Sequence, residues 1–571
     1  MKHCPECNKN YADPTISFCL ADGSPLLFGA AVEDEPTAIL SGDDPSESNT
    51  RFIASRETAP TEAQIFNVPK SAALRRNRAL LIVGGLILVT AAIFAAIMVR
   101  SRYSGLFGTN QVESIAVMPF ANSTGNPDLE YLSDGITESI INALSQVPRL
   151  SVKGRSSVFR YKGKDVEPQQ VGSDLKVQAV LNGRVLQHGD SMTIRLDLVD
   201  AATGNQIWGD QYDRKVTDLA ALQNEISHDI AQKLSARLSG ADQARVIKDQ
   251  TQNSEAYQLY LQGRYFWNKR TAPATKTAIE FFQKAIEKDP NYAMAYVGLA
   301  EAYVVAEMPL TEAHDRSTAG ANRALEIDPT LGEPHATIAN YKNVYDHDYP
   351  GAEQEFKRAI ELNPNYATAY HWYGEFLVFQ GRFDEGFAEY KKALELDPFS
   401  LAIGTDYGIG LAYARRFDEA IDHLNKLSEM DPSYVRTHQY LADVYAMASR
   451  YEDSIKEREK QLNLSGVPPA SIAKGKALLL DGLHTGGPKG YLSAFVALLE
   501  EEKKQGHSPP DTVYARVYAQ LGESDKAFEH INRSMEKSED SFIDLKVAPE
   551  WDKLRDDPRF IALLRKLNFT Q

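Results

Sequence analysis

Pro364, Pro398 and Pro432 stand 34 residues apart, in the phrases ELNP, ELDP and EMDP. Pro290 (EKDP) and Pro329 (EIDP) precede them at slightly longer spacing. Other residue types keep step. Ala285, Ala324, Ala359 and Ala393 lie five before their prolines, and Ala278, Ala352, Gly386 and Ala420 lie twelve before theirs. Aromatic residues recur eight before, at Phe282, Phe356 and Tyr390. A recurrence held in register this long demands a stack of like units, each too small to bury its own apolar face. The small residues let two helices approach, and the aromatics fill the gap to the next pair. Proline then ends the second helix, because it lacks an N–H and pushes the preceding residue toward extended backbone.

This pattern resembles the tetratricopeptide repeat. Six repeats fall between about 255 and 466, and residues 467–510 read as a degenerate pair. Residues 513–537 form another repeat, with Tyr518, Gly522 and Ala527 in their places. The final PEWDKLRDDPRFIALLRKL resembles the cap that follows such arrays, with Trp551, Leu554, Pro558 and Phe560 covering the last helices. The expectation is an all-α solenoid with a cap over residues 253–571. A stack of this kind exposes a concave groove lined by the first helix of each pair. By register that lining includes Glu301, Asn340, His371, Glu375, Phe379, Tyr413, Gln439 and Asp443. Phe379 and Tyr413 are the expected aromatic anchors for a protein or peptide partner. Glu301, Glu375 and Asp443 make the groove acidic, which favours a basic peptide. Gly404-Thr-Asp-Tyr-Gly-Ile-Gly410 looks like a phosphate loop in composition. It falls inside a repeat helix, where small residues serve packing.

Residues 112–240 read differently. SIAVMPF at 114–120 is a buried strand, and residues 131–146 place Leu132, Ile136, Ile140, Ile141 and Leu144 at helical spacing. A short strand at 150–152 and helical pieces at 156–161 and 168–175 follow. Strands at 177–187, 191–200 and 206–212 are joined by the turns HGD and AATGN. A helix at 217–238 closes the unit, with Thr217 as its N-cap. The order βαβαβββα gives an α/β domain with helices on a mixed sheet. The segments IAVMPF, YLSDGITESI, Val180-Leu-Asn-Gly183-Arg-Val and Ile207-Trp208 resemble the TolB N-terminal-like domain of bacteria. That resemblance implies an interaction or sensing domain. Asp134 and Glu138, four apart on one helix, read as a solvated face.

Residues 79–99, ALLIVGGLILVTAAIFAAIMV, carry no charge and no proline. At about 1.5 Å per residue they make roughly 30 Å of helix, the thickness of a bilayer's hydrocarbon core. The expectation is a single transmembrane helix. Lys70, Arg75, Arg76 and Arg78 precede it; Arg100 and Arg102 follow, and then no Lys or Arg appears until Arg149. The positive-inside rule therefore puts the N-terminus in the cytoplasm and the later domains outside it, as expected of a protein of the bacterial inner membrane. All three cysteines lie before this segment, where thiols stay reduced.

Residues 1–28 hold Cys4-x-x-Cys7 and Cys19-x-x-Asp22. A peptide this short cannot bury enough apolar surface to fold alone, and a structural zinc supplies on the order of 10 kcal/mol. Three thiolates are evident; the fourth ligand is Asp22 by spacing or His3 by chemistry. Cys4, Pro5, Cys7, Phe18, Cys19, Asp22, Gly23 and Leu26 resemble the short zinc-ribbon heads of bacterial membrane proteins. Residues 29–78, rich in Asp, Glu, Ser, Thr and Pro, read as a disordered linker, with Thr37 a candidate phosphorylation site.

The fold class expected is thus multidomain: zinc ribbon, single transmembrane helix, α/β TolB-like domain and all-α solenoid. A net charge of −16 over 571 residues argues against broad nucleic-acid binding. No Walker loop, kinase catalytic loop, H-E-x-x-H or G-x-S-x-G occurs, so the expectation is a non-enzyme. Two functions stand open: a membrane-anchored binding protein, and a transmembrane regulator with the zinc ribbon as its output.

Overall fold

A computed structural model describes residues 112–234 except Pro148, 251–538 and 541–569, together with three two-residue strands near the N-terminus. The chain divides into two units, Met1–Ser101 and Arg102–Gln571. In the first, β1 (Lys2–His3) pairs antiparallel with β2 (Asn10–Tyr11) and β3 (Leu27–Phe28). Cys4, Cys7, Cys19, Asp22, the linker with Thr37 and the apolar run 79–99 lie outside the described residues. Among the described residues no helix is long and apolar enough to cross a membrane.

The second unit opens with a mixed sheet. β4 (Ser114–Val117) lies between β6 (Ser151–Val152) and β7 (Ala179–His188), parallel to both. A short β5 (Ala121–Asn122) also pairs with β7. β8 (Ser191–Asp200) and β9 (Gln206–Lys215) continue it as an antiparallel meander, giving the order β6-β4-β7-β8-β9. The alternation that predicts β8 holds: Met192, Ile194, Leu196 and Leu198 are all buried. Gly183 sits where a Cβ would come within 2.4 Å of the Phe120 ring, so the strand needs glycine there. The helices are α1 (Glu130–Ser145), α2 (Arg155–Phe159), α3 (Pro168–Leu175) and α4 (Leu219–Leu234).

Thr217 is not the cap of α4. It lies in a 3-10 turn, Val216–Asp218, and its hydroxyl donates to Asp218. Ser254 Oγ, from the next domain, accepts from Ala220 N at 3.3 Å instead. A tertiary partner has taken over what local sequence suggested.

Helix pairs follow. They are α5 (Ser254–Trp267) with α6 (Ala272–Lys288), α7 (Ala293–Val304) with α8 (Leu310–Ile327), and α9 (Glu333–Val344) with α10 (Tyr349–Leu362). Next come α11 (Ala367–Phe379) with α12 (Phe383–Leu396), α13 (Leu401–Tyr413) with α14 (Phe417–Met430), and α15 (Val435–Met447) with α16 (Tyr451–Leu464). The degenerate pair is α17 (Pro469–Lys504), two helices joined across a reversal at Gly487, whose φ is +59°. The last pair is α18 (Asp511–Leu521) with α19 (Ser524–Lys537), and α20 (Pro558–Lys566) belongs to the cap.

The periodic residues do the packing their types suggest. Ala278, Phe282 and Ala285, and Ala352, Phe356 and Ala359, are fully buried. The residue before each periodic proline is extended: Asp289, Asp328, Asn363, Asp397 and Asp431 have φ between −132° and −144°. Proline forbids them helical backbone, so each second helix stops one residue earlier. In Gly404–Gly410 the glycines serve helix contact, as a Cβ on Gly408 would meet Leu424 at 2.6 Å.

Both edges of the solenoid are covered. At the loops between pairs sits the α/β domain: Asn365 Nδ2 donates to Leu150 O at 2.8 Å, and Lys153 Nζ to Glu395 O at 2.6 Å. At the turns within pairs sits the C-terminal segment: Arg415 donates to Val547 O at 2.7 Å, and Asn568 Nδ2 to His347 O at 3.3 Å. Trp551, Leu554 and Phe560 are fully buried and cover α18 and α19, as expected. They also share one core with Tyr349, Phe356, Tyr373 and Phe376 of the third and fourth pairs. The end of the chain thus folds back onto the middle of the stack.

Candidate functional site

Between α2 and the concave face lies a cavity of about 860 Å³. The docking that closes it is specific. Asp289, Asp328, Asn363 and Asp431, each before a periodic proline, accept from the backbone N–H two residues on. Asp397 at the equivalent place does not. Its carboxylate accepts from Ser157 N at 2.8 Å and from the Ser157 hydroxyl. Ser157 Oγ in turn accepts from Phe399 N at 3.0 Å, filling the role the aspartate has left. Burial pushes the Asp397 carboxyl up, against the hydrogen bonds from Ser157 and Ser156.

A second tie joins α1 to α5. Glu138 accepts from Arg264 and from Asn268 Nδ2 at 2.7 Å, and pairs with Arg155 at 3.1 Å. Arg264 also reaches Glu301 at 2.6 Å. Burial pushes Glu138 up, but Arg264 and Arg155 hold it below the usual range. Asp134 meets Lys162 at 2.5 Å, and burial leaves its carboxyl raised. Asp134 and Glu138 are therefore buried, not a solvated face: Lys162 of the same domain closes over Asp134, and the repeats bring Arg264 against Glu138.

The eight groove residues divide. Glu301, Asn340, His371 and Glu375 line the cavity. Glu301 is only 6% exposed and is occupied by Arg264 and by Tyr366 Oη at 3.0 Å. His371 Nε2 lies 3.0 Å from Asp406 Oδ2, and Arg436 reaches the other Asp406 oxygen at 2.9 Å. Glu375, one turn from His371, is pushed up to about 7 by burial and by Asp406, with His371 and Arg436 opposing. Phe379 and Tyr413 are not exposed anchors. Phe379 is 8% exposed with its ring 6.1 Å from that of Tyr413, and Tyr413 Oη donates to Asp544 at 3.2 Å. The C-terminal segment ties down Tyr413, and Phe379 packs beside it. Asp443 pairs with Arg458 at 3.1 Å, and burial raises its carboxyl. Gln439 is exposed and lies outside the cavity wall.

Sequence reasoning missed most of the wall. Arg155, Ser156, Arg160 and Lys164 come from the α/β domain, and Trp267, Arg270, Phe399, Tyr434 and Arg436 from the repeats. Arg270 and Arg436 could have been placed by register. The α2 segment could not, since it meets the repeats some 240 residues further along the chain. The groove is also not open acid. Glu301 is held by Arg264, Asp443 pairs with Arg458, and burial pushes Glu375 up, so the inference of a basic peptide loses its basis.

A family model described as tetratricopeptide repeat matches residues 344–400 and 407–459. Over those residues the helix pairs match the tetratricopeptide repeat. A second model, described as HilA/YgeH-like transcriptional regulator, second domain, matches residues 110–229. This is the α/β domain, for which the sequence suggested a TolB-like relative. A Rhizobium meliloti (strain 1021) protein named "Putative adenylate cyclase 3" is 35% identical over 187 residues, 33% of this chain and 32% of that protein. The alignment thus spans about a third of that relative's length. Among solved structures, YrrB, a TPR protein with an unusual peptide-binding site, shows 21% identity over 34% of this chain and 98% of its own, with a TM-score of 0.24. A thermophilic TPR protein of Thermus thermophilus, TTC0263, shows 18% identity over 33% of this chain and 98% of its own, with a TM-score of 0.29. Among the described residues there is no cluster of His, Cys, Asp or Glu that could hold a metal ion.

Proposed function

We propose that this chain is a single-pass bacterial inner-membrane protein that binds protein or peptide partners and performs no catalysis. The observation that carries the binding role is the tetratricopeptide stack, whose concave face is walled by the α/β domain into a cavity of about 860 Å³. A cavity that size holds a short peptide segment or a partner's loop. The apolar run 79–99 supports the anchor, and the charge bias around it supports a cytoplasmic head with the binding domains outside.

In the head, β1 and β2 pair across the connection that carries Cys4 and Cys7. Two thiols spaced Cys-x-x-Cys suit tetrahedral zinc. Cys4, Cys7, Cys19 and either Asp22 or His3 would hold it, and the metal would supply folding free energy. Metal analysis of the reduced full-length protein tests this, with one equivalent of zinc expected and loss on chelation; no bound metal removes the site.

The test of the main reading is crosslinked capture with the full-length protein in membranes. A reproducible partner that is lost when the cavity wall is altered is expected, and no reproducible partner would overturn the reading. A second reading is a transmembrane regulator. It is favoured by the match of residues 110–229 to a domain of transcriptional regulators. Deleting residues 1–70 separates the two: function survives in a binding protein and is lost in a regulator that signals through its head.

A further inference from the structure

Resting on the peptide-binding reading above, we infer that the cavity between α2 and the concave repeat face takes an acidic peptide segment, held by Arg160, Lys164 and Arg270.

The wall's charges fall into two groups. Its buried carboxylates are already engaged: Glu301 by Arg264 and Tyr366, Asp406 by Arg436 and His371, Asp397 by Ser157. Asp431 accepts from the Ser433 N–H and hydroxyl. Glu375 is pushed toward neutrality by burial. The cations are in the opposite state. Arg160, Lys164 and Arg270 are exposed, and among the described residues no carboxylate pairs with any of them.

The two arginines are also oriented. The Arg160 guanidinium lies 3.8 Å over the Phe399 ring, and that of Arg270 lies 3.7 Å over Trp267. A guanidinium laid on an aromatic face keeps its in-plane N–H groups free. The ring fixes its direction, and the free edge matches a carboxylate bidentately. Stacking has prepaid the loss of side-chain freedom that binding would otherwise cost.

The wall has an apolar part as well. Val305 and Met430, 42% and 36% exposed, line the same cavity. Carboxylate recognition beside exposed aliphatic side chains suits a segment that mixes Asp or Glu with apolar residues. It does not suit an inorganic anion. An extended polyanion is disfavoured by the net charge of −16, which confines the positive potential to this spot.

Fluorescence anisotropy on the full-length protein in detergent tests the assignment, using three labelled peptides that alternate leucine with glutamate, glutamine or lysine. The glutamate peptide is expected to bind at least about tenfold tighter than the glutamine one, and to weaken with salt. R160A and R270A should each weaken it about tenfold, since each removes a charge-assisted pair, while their thermal midpoints stay unchanged. R160E/R270E should reverse the preference toward the lysine peptide. Tighter binding of the lysine peptide to the unaltered protein would overturn the inference, as would indifference to R160E/R270E. So would displacement of the glutamate peptide by inorganic phosphate or a short oligonucleotide at similar concentration. Undiminished partner capture by R160E/R270E would remove this site while leaving the wider binding role in place.

Discussion

Arg264 is the residue on which the junction of the two folds turns. It pairs with Glu138 from the α/β domain and Glu301 from the repeats, and all three are largely buried. Truncation leaves buried Glu301 without a counter-charge and Glu138 with Arg155 alone. R264A is expected to cost about 3–5 kcal/mol, read as a lower urea midpoint. R264K should recover only part of this, because a single ammonium nitrogen lacks the spread of planar donors with which the guanidinium reaches Glu138 and Glu301. Glu375 acts differently. Its folded value of about 7 lies above the ordinary 4.5, so the folded state keeps a proton that the unfolded state has released. Stability from this group is therefore full below about 4.5 and lost as the pH rises through 7. Glu550, also pushed up to about 7 by burial, has the same sign. E375Q should flatten the fall in thermal midpoint between those pH values, and E375Q/E550Q should flatten it further; an unchanged slope would show that neither carboxyl is protonated in the folded state. None of this was legible in the sequence, where Asp134 and Glu138 look like a wet helix face. Spacing says which side chains share a face, and only the neighbour says whether that face is wet.

At the scale of elements, sequence and structure agree most closely. The prolines end their helices, and the small and aromatic positions are buried where the period places them. These features need only a residue's own turn and the next helix, so a local pattern suffices. The α17 reversal shows how narrow such packing can be. A Cβ on Gly490 would come within 1.9 Å of the Gly482 carbonyl oxygen, and a backbone atom cannot swing aside. G490A should part the two halves of α17 at a cost of about 1–3 kcal/mol. Hydrogen exchange should show the loss of protection confined to residues 469–504 and the helices touching them. The cap of α4 is the counterexample: Thr217 has the right chemistry, yet Ser254 Oγ does the work because folding brings it there.

At the scale of the molecule, residues 102–571 form one compact unit. One apolar core runs from Ile115 in the sheet to Leu331 in the repeats, across what the sequence divides into two domains. A second core joins Trp551 and Phe560 of the cap to Phe356 and Phe376 of the third and fourth pairs. W551A is expected to cost about 3–5 kcal/mol, as removal of a large buried aromatic does. Hydrogen exchange distinguishes this closure from an ordinary end-cap. Loss of protection should reach residues 349–376 as well as 511–569; loss confined to the last pair and cap would mean the fold-back contributes nothing.

Sequence alone determined the repeat, the ends of its second helices and the alternating strands, because each is set by steric and packing preferences within a few residues or one neighbouring helix. The tertiary structure decided which surfaces of the stack remain free. It tied Tyr413, with Phe379 packed beside it, to the C-terminal segment, and it brought Arg160 and Lys164 to the wall of the cavity. Those outcomes join residues more than a hundred positions apart, and a period of 34 carries no information about what docks against its edges.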